Sequence, residues 1–146
     1  MAHSKIGLGK KYVDRLGTGR KHNNFADSLK AVERGLPFQS LASFEKESGL
    51  PPSAIAKIVR LPRRTLSRRK AAGRLSDLES ERLMRLAGLY QKTLDLFEGD
   101  AAAARTWLNS PNRALGRRTP LSLAETELGA RVVEDLIGRL EYGVYS

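Results

Sequence analysis

The sequence contains no cysteine, which excludes disulfides and thiolate metal sites and is compatible with a reducing compartment. Aromatic residues make up only 6% of the chain, so a core must be built mainly from aliphatic side chains. No apolar run approaches the roughly 18 residues of a membrane-spanning helix. The stretch MAHSKIGLGKKYVDRLG lacks the uninterrupted apolar centre of a signal peptide, and the protein therefore reads as soluble and cytoplasmic.

The materials of catalysis are equally scarce. The two histidines, His3 and His22, both fall in the first 24 residues, and no glycine-rich loop has the spacing of a phosphate-binding or dinucleotide fingerprint. Glu45 and Glu47 stand two apart in a predicted helix, as do Glu125 and Glu127, and would diverge, while Glu134 and Asp135 are adjacent. None forms the convergent pair that acid–base chemistry needs. The expectation is a non-enzyme with no cofactor and no metal.

What the first half lacks is acid. The chain carries 26 basic and 16 acidic residues, a net charge of +10. Residues 1–74 hold 17 of the basic and only 5 of the acidic residues, residues 75–110 sum to −2, and residues 111–146 hold five of each sign. A basic surface attracts polyanions through phosphate contacts and counterion release. A polyanion site thus belongs to the first half, and a different kind of partner to the second.

No stretch alternates with period two, so the fold class reads as all-α. Residues 1–24 form a basic arm, either a solubilising tail or a phosphate-contacting one. Residues 25–75 read as a set of short helices. Phe25, Leu29, Val32 and Leu36 have helical spacing, Phe38, Leu41, Ala42 and Phe44 line a second face ended by Ser48-Gly49, and Ile55, Ile58 and Val59 follow Pro51-Pro52. After a turn at Leu61-Pro62, Arg63 to Ala72 form a helix stopped by Gly73. Short helices joined by tight turns are the signature of helix-turn-helix units.

Residues 76–146 form a second helical region. Ser76-Asp77-Leu78-Glu79 fits a capping box that opens a long helix, with Leu78, Leu83, Leu86, Ala87, Tyr90, Leu94 and Phe97 as its apolar stripe and Gly99 as its stop. Asp100 caps a following helix. The punctuated run WLNSPNRALGRRTPLSLAETE then makes a corner, with Trp107 and Leu108 as anchors and Thr119-Pro120 as a new helix start. Leu128, Val132, Val133, Leu136, Ile137 and Leu140 give the last amphipathic helix, ending near Gly143.

Between Arg60 and Arg74 lie seven basic residues and no acidic one. On a helix starting at Arg63, the residues Arg64, Ser67, Arg68 and Ala71 share one face and Leu66 points the other way into the core. Arginine pairs bidentately with guanine or clamps phosphate, and Ser67 or Thr65 donates to either. The candidate DNA contacts are Arg63, Arg64, Thr65, Ser67, Arg68, Arg69 and Lys70.

This stretch resembles the helix-turn-helix of Xre-type DNA-binding proteins, with Leu66 at the apolar site of the recognition helix, Ala56 at the helix crossing, and Ile55, Val59 and Leu61 at core sites. Arg60 occupies the turn position usually held by glycine. Further on, GRLS with ESERLMRL, then LFEGD, WLNSPNRALG, TPLSLAETELGA and GRLEYGVYS resemble the toxin-binding domain of the MbcA/ParS/Xre antitoxin family, partners of RES-domain toxins. Arg117 stands where the family often has a second glycine. The resemblance spans roughly residues 36–146 and implies an antitoxin that masks a NAD+-degrading RES-domain toxin and represses its own operon through operator DNA. A homodimer is expected because helix-turn-helix proteins read two half-sites, joining the toxin in a hetero-oligomer.

The candidate toxin contacts are Arg139, Tyr142, Gly143, Val144, Tyr145 and Ser146, because tail aromatics without a periodic core role make good anchors. Tyr142 and Val144 could instead fold back as a hydrophobic helix cap. Two other readings of the whole chain stand beside this one: a stand-alone repressor whose second half only dimerises, and a nonspecific basic RNA binder.

Overall fold

The computed structural model describes residues 25–143. The basic arm read over residues 1–24, and Val144, Tyr145 and Ser146, lie outside the described residues. Within them the chain forms helices and turns without a strand. There are two isolated bridges, pairing Pro37 with Arg74 and Asn112 with Arg118.

The helices are α1 (Phe25–Arg34), α2 (Gln39–Ser48), α3 (Pro52–Val59), α4 (Arg63–Ala72), α5 (Asp77–Leu96), α6 (Ala101–Leu108), α7 (Pro120–Leu123) and α8 (Glu127–Glu141), with a 3-10 turn at Arg113–Leu115. None is long and apolar enough to cross a membrane. The expected caps form. Asp100 Oδ1 accepts from the Ala103 N–H at 3.1 Å and Thr119 Oγ1 from the Ser122 N–H at 3.1 Å, each the kind of contact that stabilises a helix by about 1 kcal/mol.

The 20-residue α5 is the spine. It packs against α1, α2 and α3 on the N-terminal side and against α6 and α8 on the C-terminal side. Its Leu83, Leu86, Ala87, Leu89 and Tyr90 are buried, and Phe44 of α2 meets Tyr90 edge-on with ring centroids 6.0 Å apart. Burying one Leu or Phe contributes about 1.5–3 kcal/mol, so this shared interior dominates over the surface ion pairs. Gln91, Thr93 and Asp95 are buried as well. Gln91 Nε2 donates to Asp95 Oδ1 at 3.1 Å and Thr93 Oγ1 to the Leu89 carbonyl at 2.9 Å, which makes their burial tolerable.

Several residues assigned to apolar stripes sit outside them. Leu78 is 55% exposed and Leu128 73% exposed, and Leu29, Val132 and Ala42 are also exposed. The helical repeat explains the two largest departures: Leu78 lies about 140° from Leu83, and Leu128 about 140° from Val133. The buried positions one turn before those leucine and valine anchors are Glu79 and Ser80 in α5, and Gly129 and Ala130 in α8. In α8 small size is required, because a Cβ on Gly129 would stand 2.0 Å from the Leu123 carbonyl oxygen. The α7–α8 corner depends on that approach.

Both arginines found where glycine is usual adopt the left-handed conformation. Arg60 has φ 61 and ψ 54 at the end of α3, and Arg117 has φ 65 in the corner. Such a backbone costs an L-residue roughly 1–2 kcal/mol. The turn keeps its geometry and bears the strain.

The corner is closed by its own hydrogen bonds. Asn112 Oδ1 accepts from the Ala114 N–H at 2.9 Å, and the Asn112 carbonyl accepts from Arg117 at 2.9 Å. Leu108 and Leu115 are buried, and Trp107 stacks obliquely on Phe97 with ring centroids 6.4 Å apart.

Candidate functional site

The helix-turn-helix is formed by α3, the left-handed turn at Arg60, and α4. Ile55, Ile58, Val59 and Leu61 are buried and fix α3 against α5, while α4 has no buried residue at all. Its contact with the interior is the half-buried Leu66, helped by the half-buried Thr65 and Arg69. A helix this polar is held out from the body rather than embedded in it.

Its outward face carries the residues the sequence pattern placed there. Arg64, Ser67, Arg68 and Ala71 are exposed and fall within a sector of about 100°. Arg63 and Lys70 are exposed on one flank. On that side Leu66, Ser67 and Lys70 line a groove of about 350 Å³ whose far wall is Phe38, Leu41, Ala42 and Glu45 of α2 and the residue before it. The first turn of α4 has no acidic residue, its flanking Pro62 makes no side-chain cap, and it begins with two arginines. Cations at a helix N-terminus oppose the helix dipole. An arrangement unfavourable for the isolated helix becomes favourable when an anionic backbone lies alongside.

Arg69 behaves differently from the other candidates. Its Nε donates to Glu79 Oε1 at 2.8 Å, and the same oxygen accepts the Ser76 N–H at 2.8 Å. Ser76 Oγ in turn accepts from the Glu79 N–H at 3.2 Å, completing the capping box of α5. Glu79 is only 5% exposed. Burial by itself pushes its carboxyl up, but the hydrogen bonds from Arg69 and Ser76 and the charge of Arg69 prevail and hold it below the usual carboxylate range. The Arg69 guanidinium is raised, first by that hydrogen bond and then by the charge of Glu79. The capping box is legible in the sequence and this bridge is not, since nothing periodic links residues ten apart across a turn.

The base of the unit is strapped to the start of α5. The Phe38 N–H donates to the Gly73 carbonyl and the Leu75 N–H to the Leu36 carbonyl, each at 2.9 Å, and Arg74 Nη1 donates to the Gly35 carbonyl at 2.7 Å. The Leu36 N–H reaches Ser80 Oγ at 2.8 Å.

At the other end of the molecule, α8 stops at Glu141, and Gly143 takes φ 69. Tyr142 is 82% exposed and does not fold back as a cap over the core. Arg139 is exposed on the same side of α8, with Leu128, Val132 and Asp135 along one ridge. Of the predicted partner contacts, Val144, Tyr145 and Ser146 lie outside the described residues. Among the described residues, no three His, Asp or Glu side chains gather as a metal site would require.

Comparison with known proteins finds two matching family domains. The antitoxin Xre-like helix-turn-helix domain matches residues 27–88, and the antitoxin Xre/MbcA/ParS C-terminal toxin-binding domain matches residues 93–143. The two spans meet within α5. An antitoxin Xre of Yersinia enterocolitica is 40% identical over 117 residues, which is 80% of this chain and 79% of that protein. An antitoxin Xre of Photorhabdus laumondii is 35% identical over 116 residues, 79% of this chain and 78% of that protein. The chain therefore belongs to the Xre/MbcA/ParS antitoxin family and carries both its helix-turn-helix domain and its toxin-binding domain.

Proposed function

We propose that the protein is an antitoxin that binds and masks a RES-domain, NAD+-degrading toxin and represses its own operon by binding promoter DNA through α4. The observation that carries this reading is the separation of two surfaces. One is the exposed, one-signed face of Arg64, Ser67 and Arg68, and the other is a charge-balanced C-terminal helix that ends in an exposed tyrosine. Phosphate recognition needs the first, whereas a protein interface uses aromatic anchors and hydrogen bonds more than net charge. The chemistry then belongs to the partner, and this chain acts without a catalytic step, cofactor or metal of its own.

On this reading Arg63, Arg64, Thr65, Ser67, Arg68 and Lys70 supply the DNA contacts, and Arg139, Tyr142 and the residues up to 146 contact the toxin. The protein acts in the cytoplasm as a homodimer, because a helix-turn-helix protein reads two half-sites about one helical turn apart, and joins the toxin in a hetero-oligomer. The test is co-expression with the product of the adjacent gene. Restored growth and co-purification of the two proteins are expected. Failure of both would overturn the antitoxin reading.

A further inference from the structure

We infer that Glu79 is a positioning residue for DNA recognition: it holds Arg69, and through it the rotation of α4 about its own axis, so that Arg69 is withheld from phosphate contact. The inference rests on the reading of α4 as the DNA-contacting helix.

Three observations carry it. First, α4 has no buried residue and one half-buried leucine as its apolar contact, so apolar packing does little to fix its rotation, and the backbone strap at Gly73 holds only its C-terminal end. A directional contact has to fix the rotation, and the Arg69–Glu79 bond is the side-chain hydrogen bond that joins α4 to α5. Second, Glu79 is almost completely buried, where a carboxylate without a partner is strongly disfavoured. Arg69 and the Ser76 N–H meet on the same oxygen, so the group that closes the first turn of α5 also ties down α4. Third, Arg69 stands about 140° around the helix from Arg64 and one turn after Leu66, on the side turned toward the protein. Its Nε is engaged at 2.8 Å while Arg64 and Arg68 remain exposed.

The charge balance makes the inference testable by sign. Removing the negative charge of Glu79 makes the protein more basic, which by electrostatics alone tightens binding to any duplex. Loss of a positioning contact weakens binding to the specific site instead. The two effects run in opposite directions.

The experiment uses the full chain and compares Glu79→Gln and Arg69→Ala with the unaltered protein. Binding to a duplex from the upstream region of its own gene, and to a random duplex of equal length, is followed by fluorescence anisotropy over a range of salt. Melting curves fix a temperature at which all three proteins are folded. Glu79→Gln keeps an oxygen for the Ser76 N–H and removes the charge that strengthens the Arg69 bond, while Arg69→Ala removes that bond and leaves the capping box intact. The expected result is a fall of tenfold or more in the ratio of specific to random binding for both variants, with random binding by Glu79→Gln unchanged or tighter. The slope of log affinity against log salt for Arg69→Ala should match the unaltered protein. A slope smaller by about 0.9, the contribution of one phosphate contact, would make Arg69 a DNA contact and overturn the inference. Specific binding that is unchanged or tightened in Arg69→Ala, which removes the contact altogether, would overturn it as well. If the unaltered protein does not prefer its own upstream duplex, the DNA reading of α4 fails, and that outcome is separate from a failure confined to the two variants.

Discussion

Arg69 and Glu79 meet at 2.8 Å across the turn between α4 and α5, joining a helix with no buried residue to the helix that packs against both ends of the fold. Because the pair holds the Glu79 carboxyl below the usual range near 4.3, it makes folding sensitive to acid. The folded protein binds fewer protons than the unfolded chain as the unfolded carboxyl begins to titrate. The stabilisation is therefore fully present above that ordinary value and is lost as pH falls through the lower, folded one. Urea midpoints measured from pH 7 down to pH 3 should decline less steeply for Glu79→Gln than for the unaltered protein, from a lower starting point at pH 7. Identical slopes would show that the bond does not contribute.

The left-handed Arg60 stores strain in the turn between α3 and α4. Glycine at this position removes a strain of about 1 kcal/mol and with it one cation of the basic run. Arg60→Gly should raise the melting temperature, and because Arg60 is not one of the proposed DNA contacts the slope of log affinity against log salt should stay that of the unaltered protein. A lower melting temperature would contradict the strain.

Gly129 and Gly138 lie on the same helix and should respond oppositely to alanine. At Gly129 the new Cβ would meet the Leu123 carbonyl oxygen at 2.0 Å, whereas at Gly138 it meets nothing within 4 Å. Gly129→Ala is expected to cost about 1–3 kcal/mol by overpacking. Gly138→Ala should gain about 0.5–1 kcal/mol from helix propensity. Chemical denaturation of the two variants side by side decides both.

The two surfaces should be separable by mutation. Replacing Arg64 and Arg68 by alanine should abolish promoter binding and leave neutralisation of the partner intact. Deleting residues 142–146 should do the reverse. Growth rescue measured beside a promoter-binding assay gives four results, and a variant that loses both activities while remaining folded would contradict the division.

Much of this architecture can be read from the sequence, because the signals are local. Ser76, Asp100 and Thr119 announce their helix starts, Gly49 and Gly73 end theirs, and the exposed face of Arg64, Ser67 and Arg68 follows from the helical repeat alone. What escapes is what depends on distant partners. Hydrophobicity places Leu78 and Leu128 inside, yet the buried positions near them belong to Glu79, Ser80, Gly129 and Ala130. A glutamate becomes an interior residue only when a cation from another helix reaches it, and a glycine becomes essential only where a carbonyl presses close. The bridge of Arg69 is hidden for the same reason: within the basic run its charge is indistinguishable from that of Arg68, and its partner lies on the next helix.

The spine also ties the fates of the two activities together. Since α5 packs against α1, α2 and α3 toward one end of the chain and α6 and α8 toward the other, neither the helix-turn-helix nor the C-terminal helices can melt without exposing leucines that the other half needs covered. The protein should unfold in a single transition. Damage that opens one half would then release promoter and partner at the same moment.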